Sequence, residues 1–394
     1  MKFLNKINNF VFGKPDLSHP LSADFIRVVS AFSIAWYHIW QQSWVSGGKL
    51  DFWNRTGALW VDVMIMLSAF CLYLPWANAK LDGSLEIKLK REKTSTFYLK
   101  RAIRIIPGYY LSLAFSFVIK VISDGCSLKL IKDLIAHLTF TQMFFTFSYR
   151  NTELNGVTWT LTIFALFYVL FPLLRNLMLK HPIPLITTMV IIEFISTIWL
   201  LKNSNNSNFD MLFNQFPVFT GVIGIGMLGA SLFAQLGRIK LIEKKYIRVL
   251  FSALGVFAFV LIAKLLKYQT KQEVFRISQL KLRLPISILA VCVIIFFGLG
   301  INLPLKKILA FLSKISFNLY LWHQMLTLWI KYTLRIPKWY GDTPPNIDGD
   351  SVWMHKFNLI AWTVSLIVAL VVTYFIEEPI KRILENKLLK KTTK

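Results

Sequence analysis

Arg27 and His38 bound the stretch "RVVSAFSIAWYH", with only uncharged and mostly apolar residues between them. On a helix their separation makes three turns plus about 20°, so both side chains share one face, about 16 Å apart along the axis. A guanidinium binds anions, and an imidazole takes up a proton near neutral pH. An ionisable group inside an apolar span is costly and faces the bundle interior, where it binds a substrate or a partner. The pair therefore marks a polar track through half a membrane, with an anion-binding group at one end and a candidate general base at the other. Taken singly, each has a plainer use: Arg27 snorkels and His38 is a hydrogen-bonded core histidine.

The next apolar run, "GALWVDVMIMLSAF", holds one acid, Asp62, at a depth comparable to that of His38. A carboxylate beside the imidazole would fix its tautomer and raise its basicity, as general-base catalysis on a hydroxyl requires. The other use of a buried acid is a structural hydrogen bond to a neighbouring helix. In "FYLKRAIRIIPGYYLSL", Pro107 suits the first turn of a third helix. Arg101 and Arg104 would then sit at its positive end and, with Arg27, grip a phosphorylated ligand. Anchoring by lipid phosphates is the alternative for the two arginines. Trp159 opens the fourth run, where it can stack on a sugar ring or anchor the interface. Tyr168, further along that run, and His323, in "NLYLWHQM", are further candidates for contact with substrate.

The elements that must position these residues follow from composition. The 394 residues are 55% hydrophobic and carry 45 Lys and Arg against 20 Asp and Glu, for a net charge of +25; the mean hydropathy is +0.53. The cations sit in short clusters between apolar runs rather than along one soluble face, which points to membrane topology and away from nucleic acid. Cys71, Cys126 and Cys292 are far apart, with no disulfide framework and no metal-ligand spacing. The N-terminal segment is basic but has too short an apolar core for a cleaved signal, so the first span is expected to be a retained anchor.

Runs of spanning length lie near 22–42, 57–77, 105–123, 156–178, 183–201, 214–235, 247–264, 284–302, 309–332 and 357–377. The expected fold is an all-α polytopic integral membrane protein, about ten transmembrane helices in one bundle. It would comprise a cytoplasmic tail over 1–20, the transmembrane domain over 21–380 and a basic cytoplasmic tail over 381–394. The run 134–147 is too short to span and is expected at the interface or re-entrant, with His137 a packed residue there. The basic segments at 80–104 and from 381 onward place both termini in the cytoplasm of a multi-pass cell-membrane protein. Lys267, Lys271, Arg276, Lys281 and Arg283 then crowd a loop on the outer side. Either that loop binds something anionic outside or the span count errs there; ten is kept because the termini and the second loop agree.

Taken in order, Asp24-x-x-Arg27 with His38, "WVDVMIMLSAFCL", "FYLKRAIRIIPGYYL", "VTWTLTIFALFYVLFPLL", "ISFNLYLWHQ" and "FIEEPIKR" closely resemble the membrane acyltransferase-3 family, from about Leu21 to Arg382. The resemblance implies a ten-helix enzyme that takes an acyl group, commonly acetyl, from cytoplasmic acyl-coenzyme A. It passes that group to a hydroxyl of a cell-surface or lipid-linked carbohydrate at the outer face. By position, Arg27 and His38 match the family's essential pair, Arg101 and Arg104 its basic motif, and His323 the histidine of its late motif, with Phe317 in place of a tyrosine. Phe164 stands where many members carry a glutamate five residues after the tryptophan. The resemblance implies acetyl-coenzyme A as donor, no metal, and membrane lipids as surroundings, and it allows a homo-oligomer. His38 would act as general base or as transient acyl acceptor, with Asp62 orienting it. Two rival readings share the buried polar residues: a proton-coupled exporter of an organic acid or glycan, and a non-catalytic scaffold of a surface-polysaccharide assembly.

Overall fold

The structure, a computed structural model, describes residues 11–302 and 305–389. The outer parts of the expected tails, 1–10 and 390–394, lie outside the described residues. Ten long helices occur among the described residues: α1 (Leu21–Ser43), α2 (Leu59–Leu81), α3 (Thr94–Asp124), α4 (Trp159–Lys180), α5 (Pro182–Lys202), α6 (Thr220–Leu236), α7 (Lys245–Gln269), α8 (Phe275–Leu299), α9 (Lys306–Leu328) and α10 (Ser351–Val371). Eight of them are long and apolar enough to cross a membrane. The other two, α1 and α9, have spanning length but carry polar residues, Asp24, Arg27 and His38 on one and Lys314, Asn318 and His323 on the other. This is an all-helical, multi-pass membrane protein.

Packing explains why the two polar helices are tolerated. The helix α1 is enclosed by α2, α8, α9 and α10, and α2 in turn by α1, α4, α6 and α8. Polar side chains on α1 and α9 thus meet protein rather than hydrocarbon, which removes most of the cost of placing them at membrane depth. Lipid-facing helices such as α5 and α7 instead expose residues like Ile191, Phe194, Val256 and Phe257.

The tightest contact is between α6 and α2. A Cβ on Gly226 would lie 2.3 Å from the carbonyl oxygen of Met66 and 2.9 Å from Cβ of Ala69. Only a residue without a side chain lets the two backbones approach this closely. Gly226→Val is expected to destabilise the protein by about 1–3 kcal/mol through overpacking; a thermal melt of the detergent-solubilised variant checks it.

Two helices begin about ten residues earlier than the hydrophobic runs suggest. The helix α3 starts at Thr94, so Pro107 lies inside it, and Arg101 and Arg104 are on its flank rather than at its N-terminus. The expected helix-terminus anion site is corrected accordingly. Nothing in "TSTFYLKR" breaks a helix, and a proline within a spanning helix is accommodated by local adjustment and neighbours. The helix α8 starts at Phe275, so Arg276, Lys281 and Arg283 belong to it, while Lys267 belongs to α7 and only Lys271 sits in the link. The crowded outer loop is thereby resolved: helix limits, not helix number, were misjudged.

The short run 134–147 does not form one helix: it begins in the last turns of the helix Leu128–Leu138 and continues through the short turns Gln142–Phe144 and Thr146–Tyr149. Leu128, Ile131, Ile135 and Leu138 are exposed along one side of that helix, as suits a helix lying in an interface. His137 is buried and packs structurally: Nδ1 lies 3.1 Å from Asp133 Oδ1, and Tyr109 donates to the His137 carbonyl at 2.9 Å. Burial alone would raise the Asp133 carboxyl, but contacts with His137, Ser148 and the Glu153 amide outweigh it and hold it below its ordinary range. At the opposite end of the bundle, Glu378 lies 3.4 Å from Lys314, and Glu377 accepts from Asn318, closing α9 against the chain beyond α10.

Candidate active site

Two separate cavities lie along the track between Arg27 and His38. The first, about 400 Å³, opens at the end of the bundle where α1 begins, and its lining includes Arg27, Lys88, Lys100, Arg101 and Arg104. Arg27 is held in place: Nη1 donates to Asp24 Oδ1 at 2.5 Å and to Ser313 Oγ at 2.7 Å, and Ser313 also donates to Asp24 at 2.7 Å. This triad fixes the guanidinium between α1 and α9, with Nη2 3.4 Å from Cys71 Sγ. Arg101 and Arg104 form no ion pair with an acid among the described residues, and the buried Nε of Arg101 has no hydrogen-bond partner. The one acid in the lining, Glu92, lies 3.6 Å from Lys100. Burial lowers the affinity of Lys88 for its proton, opposed by the nearby Glu92. The cavity has an excess of positive charge and donors to spare, a composition that suits an anion.

The second cavity, about 300 Å³, opens at the other end and is lined by His38, Tyr149, Arg150, Trp159, Asp210, Arg276, Tyr320 and Gln324, among others. The Nδ1 atom of His38 lies 3.0 Å from Gln41 Oε1 and 3.2 Å from the Gln324 amide. Nδ1 can donate to the Gln41 oxygen or accept from the Gln324 amide, not both; in the first tautomer the imidazole presents its lone pair on Nε2. His323 lies behind, fully buried, with its ring 5.3 Å from that of His38. Its Nδ1 is 2.9 Å from the Leu319 carbonyl, and its Nε2 has no partner.

The same helices line both cavities. On α2, Val61 faces the second and Met64 the first; on α9, Tyr320 and Phe317; on α4, Trp159 and Leu161. The septum between the cavities is thus two or three residues, roughly 3–5 Å, deep along these three helices, and roughly 10 Å along α1 from Arg27 to Ile34. A slender group entering from one cavity needs to pass only that layer to meet a group in the other.

Several expectations are corrected by this geometry. Asp62 does not orient His38: its Oδ1 lies 3.0 Å from Arg283 Nε, and Gln279 donates to Oδ2 at 3.4 Å. Asp62 and Arg283 are each 1% exposed, and Arg283 is stacked between Phe213 and Phe219. At that level α2 turns its acid toward α8, where Arg283 was hidden from the sequence reading as a loop cation. Amides of Gln41 and Gln324 occupy the place expected for a carboxylate. Trp159 and Tyr168 are in different cavities: Tyr168 lines the first, 3.4 Å from Ser68 Oγ and stacked on Phe164. Tyr149, Arg150, Arg276 and Gln324 line the His38 cavity and were not expected there; the puzzling cation cluster near Arg276 and the glutamine following His323 were the available signals. Among the described residues, no group of His, Cys, Asp or Glu is placed to hold a metal ion.

A family model described as an acyltransferase domain matches residues 21–378. The ORF330 protein of Acidianus two-tailed virus, named as a proposed acetyltransferase, is 25% identical over 306 residues, covering 76% of this chain and 81% of that protein. Nodulation protein 10 of Rhizobium leguminosarum bv. viciae is 23% identical over 175 residues, 40% of this chain and 45% of that protein. No solved structure matches the chain.

Proposed function

The chain belongs to the acyltransferase-3 family, and from that premise we propose that it carries an acyl group, acetyl in the simplest case, from cytoplasmic acyl-coenzyme A to a carbohydrate hydroxyl outside. Residues 21–380 form the transferase unit, with both termini in the cytoplasm. The observation that carries this reading is the pair of cavities on four shared helices, one rich in unpaired guanidinium and the other presenting an imidazole lone pair.

Coenzyme A is strongly anionic at one end and slender and uncharged along its pantetheine arm. Its phosphates suit Arg101 and Arg104, with Arg27 deeper on the same side, while the arm directs the thioester toward the septum. From the other side an acceptor sugar enters against Trp159. Nε2 of His38 takes the proton of its hydroxyl as the oxygen attacks the thioester carbonyl. The carbon–sulfur bond then breaks, and the imidazolium returns the proton to the departing thiolate, so that ester and free thiol leave on opposite sides. The His38 tautomer required is the one that donation to Gln41 favours.

Arg101→Gln and Arg104→Gln are each expected to raise KM for acetyl-coenzyme A about tenfold, the worth of one charge-assisted hydrogen bond, with smaller effects at high salt. Thioester turnover by the purified protein in nanodiscs measures this. A wild-type protein that neither binds nor cleaves acetyl-coenzyme A sinks the reading.

A further inference from the structure

The His38 cavity carries an unbalanced positive charge. Its one acid, Asp210, is fully engaged by Arg150, whose Nε lies 3.0 and 2.9 Å from the two carboxylate oxygens. Those contacts hold the Asp210 carboxyl below its ordinary range. Arg276 lies on the first turn of α8, with Nη1 3.7 Å from Asp210 Oδ2, beyond hydrogen-bond reach, and its side chain is 55% exposed. With Arg150 and Asp210 cancelling, Arg276 leaves the cavity with one net positive charge beside the aromatic platform of Trp159 and Tyr149. A neutral sugar ring could still use the unpartnered Oε1 of Gln324, but the carboxylate of the cavity is already taken by Arg150 and the charge left over is that of Arg276.

Resting on the transferase reading, we infer that the acceptor is anionic: Arg276 holds a carboxylate or phosphate oxyanion while a nearby hydroxyl faces His38. A cavity of about 300 Å³ is at the small end of ligand sites, so the anion belongs to the reacting sugar or to its immediate linkage. The two sources share one chemistry and separate by experiment.

Transfer from acetyl-coenzyme A in nanodiscs is compared for three probes: methyl glucoside, methyl glucuronide and glucosyl geranyl phosphate. One charged probe is expected to exceed the neutral one by about tenfold in kcat/KM. Preference for the glucuronide puts the anion on the sugar; preference for the phosphate puts it in the linkage. The ratio should fall toward one in Arg276→Gln, persist in Arg276→Lys and shrink with added salt. Calorimetric binding of the same probes makes the comparison independent of turnover. Equal use or binding of the neutral probe, or a ratio unchanged in Arg276→Gln, overturns the inference and leaves the transferase reading standing. Absence of thioester cleavage in the wild type overturns both.

Discussion

Replacement of His38 by alanine is expected to reduce acyl transfer by about 10²- to 10⁴-fold, the range for loss of a positioned general base. The imidazole lines the second cavity with no ionic partner among the described residues, and its Nδ1 lies 3.0 Å from Gln41 Oε1, to which it can donate. Among the described residues of that cavity the other possible bases are engaged: Asp210 is paired with Arg150, and His323, buried behind His38, is bonded to its own helix at Leu319. The measurement is ester formation at saturating donor and acceptor, with binding of acetyl-coenzyme A checked separately by calorimetry. A His38→Ala protein that binds donor and forms ester at the wild-type rate rules out catalysis through this imidazole. The effect belongs in kcat, whereas changes at Arg101 and Arg104 belong in KM.

The second large effect concerns Asp62. Asp62→Leu leaves the guanidinium of Arg283 buried without its partner at 3.0 Å, a defect that costs about 3–5 kcal/mol. Combined with Arg283→Met, the same change should recover most of that loss, because an apolar pair of similar volume often matches a buried ion pair in stability. The thermal melt reads the stability, and thioester turnover reads the role. If Asp62 acted on the imidazole, the restored double variant would remain inactive. The structure calls for turnover to return with the melt, because the Asp62 carboxylate faces α8 and His38 is oriented by amides. Glu193, which accepts from the Val222 amide at 2.9 Å, keeps one carboxylate in the region in every variant.

The spans were legible because they rest on apolar length; the near-integral number of turns between Arg27 and His38 gave an expectation of one face, and the structure sets the two in separate cavities. Helix limits were not legible, since hydropathy marks where apolar residues begin and not where the hydrogen-bonded ladder begins. Thr94–Ile105 and Phe275–Arg283 are helical but too polar to register. That single blindness produced both errors about arginine. It set Arg101 and Arg104 at a helix terminus and left Arg283 in a loop, so that comparable depth alone assigned Asp62 to His38. The split of Trp159 from Tyr168 between cavities, and the duty of Gln41 and Gln324, depend on which helices are neighbours, which one sequence does not encode in any local pattern.

A cell that energises its membrane cannot tolerate an open hole through it. A continuous channel wide enough for a pantetheine arm would also admit water and ions and dissipate the gradients on which the cell depends. With two blind cavities separated by two or three residues along three of their shared helices, the protein needs an opening only as large as the group being handed over. On the proposed route the charged portion of coenzyme A would stay in its own compartment, and the pantetheine arm would stopper the passage while it delivers the acyl group.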